Sequence, residues 1–361
     1  MSRALLTLLT FITLTPAHAD NQINIFTPDD KSRVTNQTVW LVMSTKTNAE
    51  NIPVILQNKG SKKNKINGKK VIRKGGSFVV HTLLYLEEGL NKVIIGSKAI
   101  SIFYTPRYRS PKSASAKNKA LQNKYSPYLF HTEGKEVLCL KCHKIDRSQS
   151  DCLKCHKEVA ASEYLHGPLG SGECLACHDP ESVPSKFTAR FGGEGELCFS
   201  CHQESKNKYS NNRFLHGPVG VNQCTVCHNP HSSSFKYQLV AAERDICYLC
   251  HDKKRIVGKR IVHKPVKRRG CVFCHDPHSS NHTSHLLQDE QTLCADPRCH
   301  PKFAKITINH PIKGHPVSGK QDPLQPEREL SCRSCHNPHS ADFPFLFSAE
   351  RYLFCAKCHR H

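Results

Sequence analysis

Cysteine and histidine dominate the chemistry that this sequence can perform. The chain of 361 residues holds twenty cysteines and twenty-four histidines, but only two methionines and one tryptophan. A histidine directly follows nine cysteine pairs of spacing C-x-x-C: Cys139/Cys142/His143, Cys152/Cys155/His156, Cys174/Cys177/His178, Cys198/Cys201/His202, Cys224/Cys227/His228, Cys247/Cys250/His251, Cys271/Cys274/His275, Cys332/Cys335/His336 and Cys355/Cys358/His359. A tenth pair, Cys294/Cys299 followed by His300, has four residues between its cysteines. No cysteine is left over.

This arrangement is the one that covalent attachment of haem c requires. Two thiols form thioether bonds with the haem vinyl groups, and the adjacent histidine becomes the proximal ligand of the iron. A disulfide framework is the usual explanation for many cysteines, but it is typical of much shorter exported chains. Zinc ribbons also use C-x-x-C pairs, yet they do not require a histidine after every second cysteine. The sequence therefore predicts ten covalently bound haem c groups and no catalytic residue.

The remaining histidines can supply the second axial ligand of each iron. Methionine ligation, which raises the haem potential, is almost excluded because both methionines lie outside the motif region. Twelve histidines remain for ten irons, so every haem can have two histidine ligands. The expected distal ligands are His131, His166, His216, His231, His263, His278, His310, His315 and His339. Of these, one or both of His310 and His315 ligate, and the weaker candidates are His282, His285 and His361.

An internal repeat organises the motifs. Cys152, Cys198, Cys247 and Cys294 recur at intervals of 46, 49 and 47 residues, which predicts two haems per repeat, with half units at Cys139 and Cys355. Three repeats also share a second signature: His228-Asn-Pro-His231, His275-Asp-Pro-His278 and His336-Asn-Pro-His339.

The second histidine of this signature cannot serve the haem beside it. A histidine three residues from a proximal ligand lies on the same side of the turn, so it binds a neighbouring haem or remains a solvated turn residue. In the first repeat Glu181 stands at this position, so that haem pair needs a ligand from elsewhere.

These motifs resemble the doubled C-x-x-C-H proteins of the low-potential, class III-like multihaem c-type cytochromes. The resemblance covers about residues 127–361 and rests on the stretch from His216 to His231, on GHPVSGKQDP from Gly314 to Pro323, and on SCRSCHNPHS from Ser331 to Ser340. It implies bis-histidine haems packed edge to edge in exported electron-transfer proteins. The chain departs from simple members in its longer motif at Cys294 and in its N-terminal extension.

The N-terminal part of the chain carries no motif. Residues 1–19 resemble a signal peptide, with Arg3, an apolar stretch and Ala17-His18-Ala19 before the expected cleavage site, and no segment predicts a membrane span. Residues 20–105 predict an all-β, immunoglobulin-like sandwich, and residues 106–126 a basic flexible linker. The expected strands are Ile23–Phe26, Thr38–Met43, Pro53–Gln57, Ser77–Leu84, Leu90–Ile95 and Ala99–Tyr104.

Residues 127–361 leave too little chain per haem for a protein-only core. This region therefore predicts a multihaem cytochrome c domain of loops and short helices wrapped round ten haems. The formal charge of +22 would favour nucleic acid, but the propionates of ten haems offset most of it, so no nucleic-acid partner is expected. The surplus basic clusters Lys59–Lys74, Arg107–Lys124 and Lys253–Arg269 either steer acidic redox partners or form a solvated face.

Electron transfer is the expected function, rather than enzymatic catalysis. The expected path runs from periplasmic donors to outer-membrane or extracellular acceptors, with other multihaem cytochromes or an inner-membrane quinol oxidase as partners. Two alternatives remain: a reductase of nitrogen or sulfur oxyanions, which needs an iron with an open position, and a polymerising conductive filament. The oligomeric state is open.

Overall fold

The computed structural model describes residues 23–47, 49–58, 63–106, 123–140, 144, 149–300, 310 and 314–359. The chain divides into two compact units. The first, here called the two-sheet unit, comprises residues 1–144 and 183–186; the second, the motif unit, comprises residues 145–182 and 187–361. The expected signal peptide and residues 107–122 of the expected linker lie outside the described residues.

Ten described strands form the two sheets of the two-sheet unit. Their bounds are β1 Asn24–Thr27, β2 Ser32–Val34, β3 Thr38–Thr45, β4 Val54–Gln57, β5 Lys63–Lys65, β6 Lys70–Lys74, β7 Ser77–Tyr85, β8 Gly89–Ile95, β9 Lys98–Tyr104 and β10 Ser126–Pro127. One sheet has the order β1-β3-β7-β6, and the other has the order β10-β2-β9-β8-β4-β5. β2 pairs in parallel with β9 and β10, while the other pairs are antiparallel.

The two sheets share one hydrophobic core. Side chains alternate along β3, so Leu41 and Met43 face the same side and are completely buried. Val93 and Ile95 of β8, in the other sheet, belong to the same cluster of packed residues. Burial of each aliphatic side chain contributes roughly 1.5–3 kcal/mol to the stability of the fold. This unit therefore has an apolar core made by its own side chains.

The prediction of a β-rich N-terminal region is confirmed, since each of the six expected strands overlaps an observed one. Sequence reasoning missed β2, β5, β6 and β10. β5 and β6 are edge strands rich in lysine, and such strands lack the apolar alternation that identifies a strand in a sequence. The immunoglobulin-like topology remains a prediction.

The segment after the linker packs on the sheets. β10 pairs with β2, and the helix Glu133–Leu140 follows it. The hydroxyl groups of Tyr128 and Thr27 are 2.6 Å apart, and Lys135 forms an ion pair with Asp29 at 2.5 Å. Residues 127–144, expected to lie with the haem region, thus form part of the two-sheet unit.

Short elements build the motif unit. Its described α-helices are Gln149–His156, Gly167–Gly170, Cys174–Cys177, Glu194–Phe199, Gln203–Asn211, Gly217–Gly220, Lys253–Val257, Lys264–Arg269, Glu290–Cys294, Cys332–Cys335 and Arg351–Cys358. Its 3₁₀ turns are Lys157–Ala160, Cys224–Val226, Lys236–Gln238, Ile246–Leu249, Cys271–Phe273, Thr283–His285 and Pro344–Leu346. Its paired two-residue strands are Tyr164–Leu165 with Ser232–Ser233, His178–Asp179 with Thr188–Ala189, Phe214–Leu215 with Ser279–Ser280, and Ile261–Val262 with Ser340–Ala341. The expectation of loops and short helices is confirmed.

Protein side chains supply little apolar core in the motif unit. Of the described apolar residues that are buried, only Leu169 and Ala341 lie in this unit. The short elements are instead held by backbone hydrogen bonds between strands and turns. Within the described part of the chain, no helix combines the length and the apolar character needed to cross a membrane.

Candidate functional site

Most attachment motifs lie on a single helical turn. The helices Cys174–Cys177 and Cys332–Cys335 and the 3₁₀ turn Cys224–Val226 all begin at the first cysteine of their motif. Because residues three apart share one face of a helical turn, both thiols of a motif point to the same side. The N–H of His228 donates to the carbonyl oxygen of Cys224 at 3.1 Å, so the same turn also orients the motif histidine.

The longer motif reaches a similar geometry through a different hydrogen bond. The helix Glu290–Cys294 ends at the first cysteine. The N–H groups of Cys299 and His300 donate to the carbonyl oxygen of Asp296 at 2.9 and 2.8 Å. The hydrogen bond that forms the turn is therefore accepted by Asp296 rather than by the first cysteine. The two additional residues of the motif lengthen the chain ahead of this turn.

Histidines from separate segments meet in pairs. Each of eight pairs joins a motif histidine to one that follows no cysteine, with ring centroids 5.9–6.2 Å apart. The pairs are His202 with His166, His178 with His231, His251 with His216, His228 with His278, His300 with His263, His275 with His339, His336 with His310, and His359 with His315. The ring planes are within 24° of parallel in all but the last pair, where they are 67° apart.

The spacing within each pair fits one iron on the axis between the rings. A metal–imidazole bond is about 2 Å long, and the ligating nitrogen lies about 1 Å from the ring centre. Two imidazoles on opposite sides of one iron therefore have centroids about 6 Å apart. Two rings that stack with an offset and without a metal can also have this centroid distance. Hydrogen bonds to the other ring nitrogen favour the ligand arrangement.

Backbone carbonyl groups hold the Nδ1 atoms of these rings. Nδ1 of the motif histidines lies 2.7–2.8 Å from a carbonyl oxygen in four pairs: His178 to Phe187, His228 to Tyr237, His275 to Ser284 and His336 to Phe345. On the distal side, Nδ1 of His263 lies 2.9 Å from the carbonyl oxygen of Pro338. A proton on Nδ1 leaves Nε2 as the free donor for a metal, and this hydrogen bond also orients the ring.

The accepting carbonyl groups on the motif side belong to residues with a left-handed backbone. Phe187, Tyr237, Ser284 and Phe345 have φ between 57° and 61°, and each lies nine residues after its motif histidine. This conformation costs about 1–2 kcal/mol in a residue other than glycine. Sequence reasoning missed these residues because their types differ; the constant spacing of nine was the available signal.

Paired strands join histidines that face two different motifs. The N–H of His166 donates to the carbonyl oxygen of His231 at 2.8 Å. The same bond joins His216 to His278 and His263 to His339, each at 2.9 Å. Every one of these six histidines pairs with a different motif histidine, so each bridge links two haem positions.

Burial favours the neutral form of several paired imidazoles, which is the form that binds metal. It lowers the pKa of six paired histidines below the ordinary value: His166, His216, His263, His278, His336 and His339. A lower pKa favours the neutral imidazole, whose Nε2 lone pair is available to iron. Within the described residues, no three or more His, Cys, Asp or Glu side chains form a metal-binding group.

Thiols of consecutive motifs lie next to one another. The Cys198 thiol hydrogen-bonds to that of Cys224, which lowers the pKa of Cys224 to about 7. First cysteines meet in the same way in the pairs Cys152 with Cys174, Cys247 with Cys271, and Cys294 with Cys332. Second cysteines are neighbours in the pairs Cys177 with Cys201, Cys227 with Cys250, Cys274 with Cys299, and Cys335 with Cys358. The nine motifs from Cys152 onwards thus form one continuous series in chain order.

The other predicted ligands have different surroundings. Nδ1 of His131 lies 3.3 Å from the Glu136 carboxylate, and His285 packs edge-on against His216 at 5.6 Å. His282 lies near Asp289 and contributes to the lowered pKa of that carboxyl group. His156 ends its helix. The predicted residues Cys142, His143 and His361 and the side chain of Cys139 lie outside the described residues.

The doubled CXXCH motif family matches the chain at residues 166–207, 216–256, 263–305 and 325–361. Each matched segment contains two attachment motifs, grouped one motif out of phase with the repeats that begin at Cys152. No curated protein is similar enough in sequence to match the chain. The chain therefore carries four repeats of the doubled CXXCH motif, and these motifs indicate a multihaem c-type cytochrome with covalently bound haem c.

Proposed function

We propose that the protein is an exported decahaem cytochrome that carries electrons along a row of bis-histidine haems. The observation that carries this proposal is the set of eight histidine pairs at the spacing of two ligands on one iron. Bound haem supplies one-electron chemistry at each of these positions. An iron with two histidine ligands has no open position for substrate, so its task is electron transfer.

The order of the motifs supports a conduit. Electrons pass between haems only when the porphyrin edges come close together. The thiols of consecutive motifs are neighbours from Cys152 to Cys358. Haems attached to these thiols would follow one another in chain order, as an unbranched row.

The expected signal peptide supports a periplasmic, secreted or outer-membrane-associated location. In this setting the donors would be other multihaem cytochromes or an inner-membrane quinol oxidase, and the acceptors would lie at or beyond the outer membrane. N-terminal sequencing of the mature protein tests the export step. We expect Asp20 as the first residue, and an intact Met1 in the haem-loaded protein would contradict export by this signal.

The mass and the visible spectrum of the purified holoprotein test the cofactor content. We expect ten haems per mature chain and low-spin ferric iron throughout, with little binding of carbon monoxide after reduction. Nine or fewer haems on most molecules would contradict the count. In that case the Cys294→Ala/Cys299→Ala variant shows whether the longer motif is the empty one, since its mass would then give the same number of haems as the parent.

A reductase of nitrogen or sulfur oxyanions is the second candidate. The observation that favours it is Glu181, which occupies the position of His231, His278 and His339 in the other repeats. A haem that lacks its distal histidine would have an open position for an oxyanion. Carbon monoxide or cyanide binding to about one haem in ten, together with turnover of nitrite or sulfite, would favour this candidate.

A further inference from the structure

The turn that carries His278 differs in charge from its two counterparts. A side-chain oxygen two residues before the distal histidine accepts the histidine N–H in all three turns, at 2.9–3.0 Å. The acceptor–histidine pairs are Asn229 with His231, Asp276 with His278, and Asn337 with His339. The same backbone turn is thus made by a neutral amide twice and by a carboxyl group once.

The Asp276 carboxylate lies beside the distal ring. Its Oδ1 is 3.7 Å from Nδ1 of His278, too far for a hydrogen bond but close enough for a strong electrostatic interaction. Its Oδ2 accepts a hydrogen bond from Nζ of Lys208 at 2.9 Å. Its Oδ1 accepts the N–H groups of His278 and Ser279 at 2.9 and 3.3 Å. The ammonium group and these N–H donors stabilise the negative charge of the carboxylate.

The ion pair of Asp276 and Lys208 is oriented with its carboxylate towards the imidazole of His278. The carboxylate contacts the ring, while the ammonium group lies on the far side of the carboxylate and is more than half exposed. Tyr209, the next residue on the same helix, stacks on His278 with centroids 5.3 Å apart. The Asp276 side chain is 16% exposed, so solvent screens its charge only in part.

We infer that Asp276, partly compensated by Lys208, sets the haem attached at Cys224 and Cys227 to a lower potential than its counterpart at Cys174. A negative charge beside an axial ligand stabilises ferric iron, which carries one more positive charge than ferrous iron. Asp276 acts through the ligand His278 and is a positioning and tuning residue. The inference rests on the proposed bis-histidine ligation. It places a low-potential step inside the row, where it controls the flow of electrons.

Redox titration of the full-length holoprotein tests this inference. Asp276→Asn keeps the turn, as Asn229 does, and removes the charge. We expect one of the ten components to become about tenfold easier to reduce, which equals about 59 mV for one electron. Lys208→Met leaves the carboxylate uncompensated, so the same component should become harder to reduce. A purely structural effect would move both variants in the same direction.

Two further variants serve as controls. Asn337→Asp introduces a carboxylate without a lysine partner and should make the haem attached at Cys271 several-fold harder to reduce. Lys206→Met removes the same charge from the same helix, but residues two apart do not share a helix face, so it should leave every component unchanged.

The outcomes separate this inference from the proposed function. If Asp276→Asn and Lys208→Met leave all potentials unchanged while the haems remain low-spin, the inference is wrong and the ligation stands. If His278→Ala produces no high-spin iron, His278 is no ligand, and the ligation itself fails at this haem.

Discussion

The second histidine of each His-x-Pro-His signature connects two attachment motifs. His231 stands three residues after one motif histidine but pairs with another, His178, at 6.0 Å and with ring planes only 3° apart. Its carbonyl oxygen meanwhile accepts the N–H of His166, the candidate ligand of the next iron. A single residue therefore takes part in two haem positions, once through its ring and once through its backbone.

Substitution of His231 tests this role. His231→Ala should open one iron, with a high-spin signal and carbon monoxide binding on about one haem in ten. His231→Met should keep six ligands but raise the potential of the same haem, because thioether sulfur favours ferrous iron. Low-temperature spectra and redox titrations measure both effects. His81→Ala in the two-sheet unit is the control, and spectra of His231→Ala that match this control would make His231 a surface residue.

At the scale of elements, a strained turn holds the imidazole of four motif histidines, which are His178, His228, His275 and His336. In the turn Thr283–His285, Ser284 has a φ of 57° and presents its carbonyl oxygen to Nδ1 of His275 at 2.8 Å. The left-handed conformation aims this carbonyl group at the ring. The hydrogen bond to this carbonyl group thus maintains the orientation of the imidazole, and the strained turn is its conformational cost.

Two substitutions of Ser284 distinguish strain from side-chain effects. Ser284→Gly relieves the cost of the left-handed backbone, so it should leave the haem potential nearly unchanged and raise the free energy of unfolding by about 1 kcal/mol or less, because glycine loses more backbone entropy on folding. Ser284→Val disfavours that backbone and should lower the free energy of unfolding by about 1–2 kcal/mol. It should also raise the potential of the haem attached at Cys271, because the weaker hydrogen bond makes the imidazole a poorer donor. Equal unfolding midpoints in denaturant for both variants would refute the role of the turn.

A second element, the segment Lys253–Arg269, which comprises the helices Lys253–Val257 and Lys264–Arg269 and the loop between them, concentrates positive charge. All nine of its lysine and arginine residues are exposed. Of these, only Lys253 and Lys259 form ion pairs with described carboxylates, those of Asp245 at 3.7 Å and Asp342 at 3.0 Å. Such a surface attracts an acidic redox partner, and salt screens the attraction over about 8–10 Å.

Charge reversal of Lys253, Lys254 and Arg255 should slow electron uptake from an acidic partner at low salt but not at high salt. The haem potentials should stay the same, because these charges act on the encounter. Stopped-flow rates across a salt series measure the effect. The charge-conserving variant Lys253→Arg/Lys254→Arg/Arg255→Lys is the control. If reversal left the low-salt rate unaltered, the segment would have no steering role.

At the scale of the whole molecule, two kinds of core stabilise the chain. The two-sheet unit buries aliphatic side chains such as Leu41 and Val93 completely, as an ordinary β protein does. The motif unit buries few apolar residues within its described part, and its haems are the remaining source of apolar surface. Folding of the motif unit is therefore expected to depend on haem attachment, whereas the two-sheet unit depends on its own sequence.

Deletion of residues 20–105 tests the independence of the two units. The motifs from Cys152 onwards belong to the motif unit and should still load nine haems. The Cys139 motif lies in the two-sheet unit, where the segment before it pairs with β2, so its loading should fall. The mass of the purified protein counts the haems. A product with almost no haem would show that the motif unit needs the sheets.

The attachment chemistry could be read from the sequence alone. The two thiols and the proximal histidine that bind one haem must lie close together in the chain, so the motifs can be recognised directly in the sequence. The His-x-Pro-His signature likewise limited its second histidine to a neighbouring haem, because turn geometry is local. Alternating apolar residues revealed the long strands but not the short lysine-rich edges β5 and β6.

Only the tertiary structure decided which distal histidine faces which motif histidine. His178 and His231 are separated by 53 residues, and their pairing depends on the strands that bridge the repeats. The structure also showed that His310 and His315 each meet a motif histidine, an alternative that the sequence left open. The left-handed residues whose carbonyl oxygens accept the imidazole N–H were equally hidden, since a backbone group can be supplied by any residue type. Pairings of this kind arise from long-range backbone hydrogen bonds, which leave no fixed residue pattern in the chain.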